Sequence, residues 1–349
     1  MLQDKSQHLT PVSQLGEFGL IKHLTEKFSL ENTSSELGIG DDAAIINSEN
    51  KKVIITTDVL AEGVHFNLGY VPLKHLGYKA VVVNLSDIAA MNATPTQILV
   101  SVAASNRFPV EAFEEIYAGI ALACQHYKVD LIGGDTTSSH AGLVLSITAI
   151  GLENSENLVS RKGAVPNDLL VVTGDLGGAY MGLQILEREH SVYLANPKMQ
   201  PEMEGYDYIL ERQLKPEART DVKKILADLE IKPTAMIDIS DGLASEVLHL
   251  SDQSKVGFRI YENKIPMDPL TISTAEEFNL NPSVCALNGG EDYELLFTIA
   301  PHNFEKIKNH ADFSIIGHAV EEEQGNYLVA SGSNELVKLT AQGWDAFLK

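Results

Sequence analysis

The sequence has little cysteine: Cys124 and Cys285 are the only two in 349 residues. Two distant thiols make no disulfide framework, and neither has the spacing of a zinc site. Long apolar runs are missing as well. No stretch approaches the roughly 20 apolar residues that a membrane-spanning helix needs. The first ten residues, MLQDKSQHLT, contain no apolar signal core, so a cytoplasmic location is the expectation. Basic residues are scarce, 26 Lys and Arg against 48 Asp and Glu, a net charge of −22. That balance excludes a nucleic-acid-binding surface. It also requires metal ions or local basic residues wherever an anionic ligand binds. No P-loop is present, because no Lys-Ser or Lys-Thr pair closes a Gly-rich loop. Repeats and low-complexity segments are absent too.

What is there is an ordinary globular composition, 44% hydrophobic and 21% charged, in a chain long enough for two domains. Strand and helix patterns mix in both halves, which gives two α/β or α+β domains. A polar cluster at residues 154–157 marks the boundary, so the domains are expected at 1–153 and 154–349. In the first, helices are predicted at 17–28, 74–93 and 110–124. Strands are predicted at 53–57, delivering Asp58, at 98–104, at Leu131-Ile132 and at 143–152. The second is expected to hold strands at 169–173, 236–239, 256–261 and 293–299, with helices at 178–189, 220–229 and 242–250. Thr220 is a plausible cap for the helix at 220–229. Residues 192–208 are polar and broken by prolines and read as a loop. From His302 the pattern adds a helix and short strands.

Acids recur at the ends of apolar runs, beside small or hydroxyl residues. They are Asp41 and Asp42 in GDDAA, Asp58 after Thr56 and Thr57, Asp87 in NLSD, Asp135 in GGDTT, and Asp238 and Asp241 in IDISDG. Adjacent carboxylates repel unless something positive lies between them. Hydroxyls beside carboxylates suit a hard cation such as Mg²⁺, which usually also bridges a substrate phosphate. Each acid alone reads equally as a turn or a helix cap, Asp241 most obviously. The spacing does not fit an EF-hand.

The stretches GIGDDAA, TTDVLAEGVHF, KAVVVNLSDIAAM, LIGGDTTSS, VTGDLG, IDISDGLASEV and GGEDYELLFT resemble, in order from Gly38 to Thr298, the motifs of the thiamine-monophosphate kinase family. That family belongs to the superfamily of aminoimidazole-ribonucleotide synthetase and selenophosphate synthetase. The resemblance implies an N-terminal α/β domain that dimerises through its sheet and a C-terminal α+β domain. It implies phosphoryl transfer from ATP to thiamine phosphate, the last step in making thiamine diphosphate, by a homodimer using several Mg²⁺ ions. Carried over by position, Asp42, Thr56, Thr57, Asp58, Asp87, Asp135, Asp238 and Asp241 are implied metal ligands. Tyr117, Gly134, Asp135, Arg161 and Ser240 are implied ATP contacts. His65, Glu291 and Trp344 are implied substrate contacts. Tyr117, on the apolar face of a helix, reads equally as core, and Trp344, the only tryptophan, equally as an anchor. Asn92 stands where the family usually has Gly. Another ATP-dependent enzyme of the superfamily, of the selenophosphate or aminoimidazole-ribonucleotide synthetase type, is the alternative. Selenophosphate synthetases carry a reactive Cys or selenocysteine near the N-terminal Gly-rich segment, and here no cysteine precedes Cys124.

Overall fold

The computed structural model describes residues 9–39, 43–140 and 142–343. The chain divides into two compact units, Met1–Asn84 with Pro95–Leu152, and Leu85–Thr94 with Glu153–Lys349. No helix among the described residues is long and apolar enough to cross a membrane.

In chain order the first part runs α1 (Gly16–Thr25), β1 (Ser35–Leu37), β2 (Ile45–Ile46), β3 (Lys52–Ala61), α2 (Leu73–Ala90), β4 (Thr94–Ala104), α3 (Val110–Tyr127), β5 (Asp130–Ser138) and β6 (Leu143–Glu153). A four-stranded sheet has the order β3-β6-β4-β5. β4 and β5 are parallel, joined by α3. α3 buries the stripe Val110, Phe113, Ile116, Tyr117, Ile120 and Cys124, the spacing that a helix needs to present one apolar face. α2 is apolar nearly all round and correspondingly buried. Just past its end Asn92 adopts a left-handed φ of 56°. Its amide Nδ2 donates to the Asn157 carbonyl at 2.8 Å. Asn is among the few non-glycine residues that tolerate this conformation, so it can stand where the family usually has Gly.

Two strands continue further than expected. β3 passes through Asp58 to Ala61, and β5 runs through Gly134 and Asp135 to Ser138. The acids sit at positions where alternation leaves side chains partly or fully exposed, so their polarity does not end the ladder.

The second part contains β7 (Leu169–Thr173), α4 (Gly178–Ala195), α5 (Asp207–Leu214), α6 (Val222–Asp228), β8 (Ala235–Asp238), α7 (Leu243–Ser254) and β9 (Val256–Tyr261). It continues with α8 (Pro269–Glu277), α9 (Pro282–Asn288), β10 (Leu295–Ile299), α10 (Phe304–Ile307), β11 (Phe313–Glu321), β12 (Tyr327–Val329) and β13 (Leu336–Lys338). The strands form one sheet in the order β13-β12-β9-β11-β7-β10-β8. Every residue of β10 is buried. Alternation sends Leu296 to one apolar cluster with Leu170, Val172 and Ile237, and Leu295, Phe297 and Ile299 to the other with Val171 and Met236. Each fully buried side chain of this size contributes about 1.5–3 kcal/mol.

Three helices depart from expectation. α5 starts at Asp207, inside the segment 192–208 read as a loop, and the first residues of that segment, to Ala195, are the end of α4. α8 and α9 begin at Asp268-Pro269 and Asn281-Pro282, where the Asp and Asn side chains accept from the amides of Leu270 and Ser283. These are ordinary start signals on helices too short to show a clear apolar period. Thr220 does not cap α6: the N-cap position is Asp221 and makes no side-chain cap bond. β10 begins at Leu295 because residues 290–293 form a tight turn, with φ of 71° at Gly290, 58° at Glu291 and 52° at Tyr293.

Candidate active site

In the first unit, alternation along β3 puts Thr56 and Asp58 on one face and Thr57 on the other. The Thr57 hydroxyl donates to the Ile147 carbonyl at 3.0 Å and receives Thr148 at 3.1 Å, so it serves the β3–β6 pairing. The Asp58 amide donates to Asn84 Oδ1 at 2.9 Å, and Asn84 Nδ2 donates to the Ala80 carbonyl at 3.0 Å. Asn84 is fully buried in α2 and ties that helix to the strand at the acid. Asp135 lies exposed on β5 opposite Ser101 of β4. Gly134 precedes it, and a Cβ there would fall 1.8 Å from the Val100 carbonyl oxygen, so only glycine allows the strands this approach. Tyr117 belongs to the core. It packs edge-on against Phe28 with ring centres 6.4 Å apart, and burial pushes its phenol up to about 12, moderated by a hydrogen bond with Thr136 of the GGDTT stretch. His65 is exposed, its Nδ1 accepting from the Ala61 amide at 3.1 Å.

In the second unit, Asp238 ends β8 and is buried. Ser86 on α2 donates its hydroxyl to Asp238 Oδ2 at 2.6 Å. Burial, then the neighbouring Asp87 carboxylate, raise the Asp238 pKa, while the Ser86 hydrogen bond and Arg161 oppose the rise. The Arg161 segment is fixed alongside. Met236 donates its amide to the Ser160 carbonyl, and Ser254 Oγ donates to the Arg161 carbonyl, both at 3.0 Å. Past β8 the chain turns through Ser240 and Asp241 to Gly242, the N-cap position of α7. Asp241 is therefore not the cap residue. The amides of Ser240 and Asp241 donate to Glu246 Oε1 at 3.2 and 2.9 Å. Glu246 is buried and its Oε2 has no hydrogen-bond partner; burial and the nearby Asp241 and Asp238 raise its pKa to about 8, partly offset by the Asp241 amide.

Glu291 lies in the 290–293 turn. Its amide donates to the Ser240 carbonyl at 2.7 Å, and Tyr293 donates to the Ile239 carbonyl at 2.9 Å. The turn thus leans on the same chain segment that carries Ser240 and Asp241. Left-handed backbone at a non-glycine residue costs on the order of 1–3 kcal/mol, which only a tightly determined surrounding sustains. Asp42 and Trp344 lie outside the described residues.

Candidate ligand groups are therefore arranged unit by unit: Thr56, Asp58 and Asp135 in the first, and Asp87, Asp238, Ser240, Asp241, Arg161 and Glu291 in the second. Among the described residues no three His, Cys, Asp or Glu side chains gather into a closed metal cage. Asp238, its pKa raised by burial and by the neighbouring Asp87 carboxylate, does fit with Asp87 a divalent cation, because Mg²⁺ takes one or two carboxylates and completes its shell with phosphate and water. Sequence reasoning missed Glu246, Ser86 and the holding role of Asn84. A Glu in the first turn of a helix that reaches back to preceding amides has a recognisable signature, here the last acid of IDISDGLASEV.

The chain is similar to known proteins over most of its length. Residues 40–152 match the AIR synthase related protein, N-terminal domain, and residues 165–342 match the corresponding C-terminal domain. The thiamine-monophosphate kinase of Bacillus subtilis is 33% identical over 95% of this chain and 100% of its own length. That of Aquifex aeolicus is 34% identical over 96% of this chain and 99% of its own. Among solved structures, AaThiL complexed with AMPPCP and TMP superimposes with a TM-score of 0.72 at 33% identity, over 95% of this chain and 97% of that one. The chain belongs to the thiamine-monophosphate kinase family of AIR synthase-related proteins.

Proposed function

We propose that this chain transfers the terminal phosphoryl group of ATP to the phosphate of thiamine monophosphate, giving ADP and thiamine diphosphate. The observation that carries the reading is end-to-end similarity to kinases of that name, one of them solved with an ATP analogue and TMP. The acceptor is a phosphate that is already ionised at neutral pH, so no side chain has to remove a proton from it. The obstacle is repulsion between two polyanions. Two unit charges about 4 Å apart cost roughly 4 kcal/mol at an effective dielectric of 20.

Asp87, Asp238 and Asp241 in the second unit, and Asp58 and Asp135 in the first, are the residues that would hold Mg²⁺. When bound, such ions neutralise phosphate charge and align the two phosphates. Thr56 shares a face with Asp58 and can add a neutral oxygen; the Thr57 hydroxyl is committed to β6. Arg161, near enough to Asp238 to hold down its pKa, offers a planar fork to phosphate oxygens. Glu291 supplies a carboxylate for the cationic thiazolium ring. Asn84, Ser86 and Glu246 hold Asp58, Asp238 and the Ser240–Asp241 turn in place.

The reading includes a homodimer. Val53, Ile55 and Val59 of the edge strand β3 are 47%, 64% and 49% exposed on one face. A second copy would cover such a row, since a strand edge with an apolar face is a pairing surface. It also includes the cytoplasm, where ATP is supplied. The test is product analysis with ATP and Mg²⁺ over thiamine, thiamine monophosphate and aminoimidazole precursors. Thiamine monophosphate should be converted and free thiamine should not; comparable turnover of free thiamine would sink the reading.

A further inference from the structure

We infer that α5 clamps the 290–294 turn, and that Gln213 on this helix is a positioning residue that aims the Glu291 carboxylate at the cationic ring of thiamine monophosphate. The inference rests on Glu291 being a substrate contact, as proposed above.

The turn is folded against its own preference, with left-handed backbone at Glu291 and Tyr293. Backbone bonds to Ser240 and Ile239 fix its path but not the direction of its side chains. α5 fixes part of these, while Thr173 of β7 and Arg219 also donate to Glu294. Gln213 Nε2 donates to Glu291 Oε2 at 2.8 Å. The preceding residue, Arg212, donates from Nη1 to Glu294 Oε1 at 3.0 Å and from Nη2 to the carbonyls of Asp175 and Asp292 at 3.0 and 3.1 Å. The Gly177 amide, just before α4, donates to Asp292 Oδ2 at 2.9 Å. Every acid of the turn is therefore held by a donor on α5 or at the start of α4.

The donors differ in charge, and the difference has a chemical reason. Arg212 pairs with the buried Glu294, for burial of an unpaired carboxylate is costly. Gln213 is neutral. An amide orients a carboxylate while leaving its full negative charge for a cation, whereas a guanidinium in the same place would cancel that charge and compete with the thiazolium. Gln213 is 5% exposed, so its amide is held in one place. The helix is brought close by Gly182 of α4, where a Cβ would fall 2.0 Å from the Ile209 carbonyl oxygen. Of the segment 192–208 read as a loop, the stretch between the end of α4 at Ala195 and the start of α5 at Asp207 thus leads into a structural support of the substrate turn.

The experiment is steady-state kinetics of the full chain, with KM measured separately for thiamine monophosphate and ATP. The variants are Gln213→Met, which keeps volume and removes the amide, Glu291→Gln, and the two combined. Gln213→Met should raise KM for thiamine monophosphate about tenfold, as loss of a hydrogen bond to a charged group does. KM for ATP should stay within about twofold. The double variant should be no worse than Glu291→Gln alone, because Gln213 acts through Glu291. Should Gln213→Met not fold, Gln213→Asn, whose amide is too short to reach, carries the same test. If Glu291→Gln leaves the KM for thiamine monophosphate unchanged, Glu291 is no substrate contact and the proposal falls with it. If Glu291→Gln raises that KM but Gln213→Met does not, or the two effects simply add, or both substrates suffer alike, α5 is only structural and the proposal alone is overturned.

Discussion

Asp292 is 1% exposed, and burial raises its pKa from 3.8 to about 7, with Arg212 and the Gly177 amide pulling the other way. A carboxyl whose folded pKa lies above its unfolded value binds more protons in the folded state across the interval between them. Unfolding free energy therefore falls as pH rises from about 4 to 7, and the destabilisation is complete above pH 7. Asn cannot ionise, yet its side-chain oxygen can still accept from Gly177. Asp292→Asn should match the parent near pH 4 and gain on it by on the order of 1–3 kcal/mol by pH 8. Denaturant titrations at both pH values check this; a difference independent of pH would mean that Arg212 keeps Asp292 ionised throughout. Individual residues were unevenly legible in the sequence. The acids stood out because each ends an apolar run beside a hydroxyl or glycine. Asn84, Ser86 and Gln213 did not, because a polar side chain inside an apolar stretch does not announce its partner: Ser86 meets Asp238 across 152 positions and Gln213 meets Glu291 across 78.

At the scale of elements, β3 carries a prediction of its own. Its partly buried face holds Thr56 and Asp58, while Val53, Ile55 and Val59 look outward. If a second copy covers that row, a charge at its centre is buried without a partner, which is expensive. Ile55→Lys should then convert a dimer to a monomer in light scattering at micromolar concentration, with the melting temperature falling as the partner is lost. A parent chain that is monomeric, or a dimer indifferent to the lysine, would remove this face from consideration. Elements with strong periods were legible: β7 and β9 have the expected bounds, and α3 extends the expected helix by three residues, from Cys124 to Tyr127. Short helices were not, since α5 has eight residues and α9 seven, about two turns in which a 3.6-residue period barely repeats. β3 and β5 were cut short because polar residues were taken as strand ends, whereas a strand with one solvated side accepts them.

The whole molecule carries a net charge of −22, and its candidate acids are divided between two compact units. Asp58 is held by Asn84 in the first, and Asp87 lies beside the buried Asp238 in the second. Structural caps and turns tolerate Asp→Asn, because the two residues are equivalent as N-caps. Carboxylates gathered to balance Mg²⁺ do not, since the amide keeps one oxygen and loses the charge. Without metal the logic reverses. Asp87 and Asp238 repel each other, so Asp87→Asn should leave the folded protein in EDTA as stable as the parent or more so. With Mg²⁺ and both substrates, Asp87→Asn and Asp58→Asn should each lower turnover by roughly a hundredfold or more. The measurements are turnover against Mg²⁺ concentration and melting curves in EDTA. Each variant separates two roles cleanly. A structural acid keeps its rate and changes stability little on Asp→Asn, while a metal-balancing acid keeps or gains stability in EDTA and loses its rate. Near-normal turnover of either variant at saturating Mg²⁺ would assign that acid to the scaffold, and the distribution of the acid set over both units would have to be redrawn.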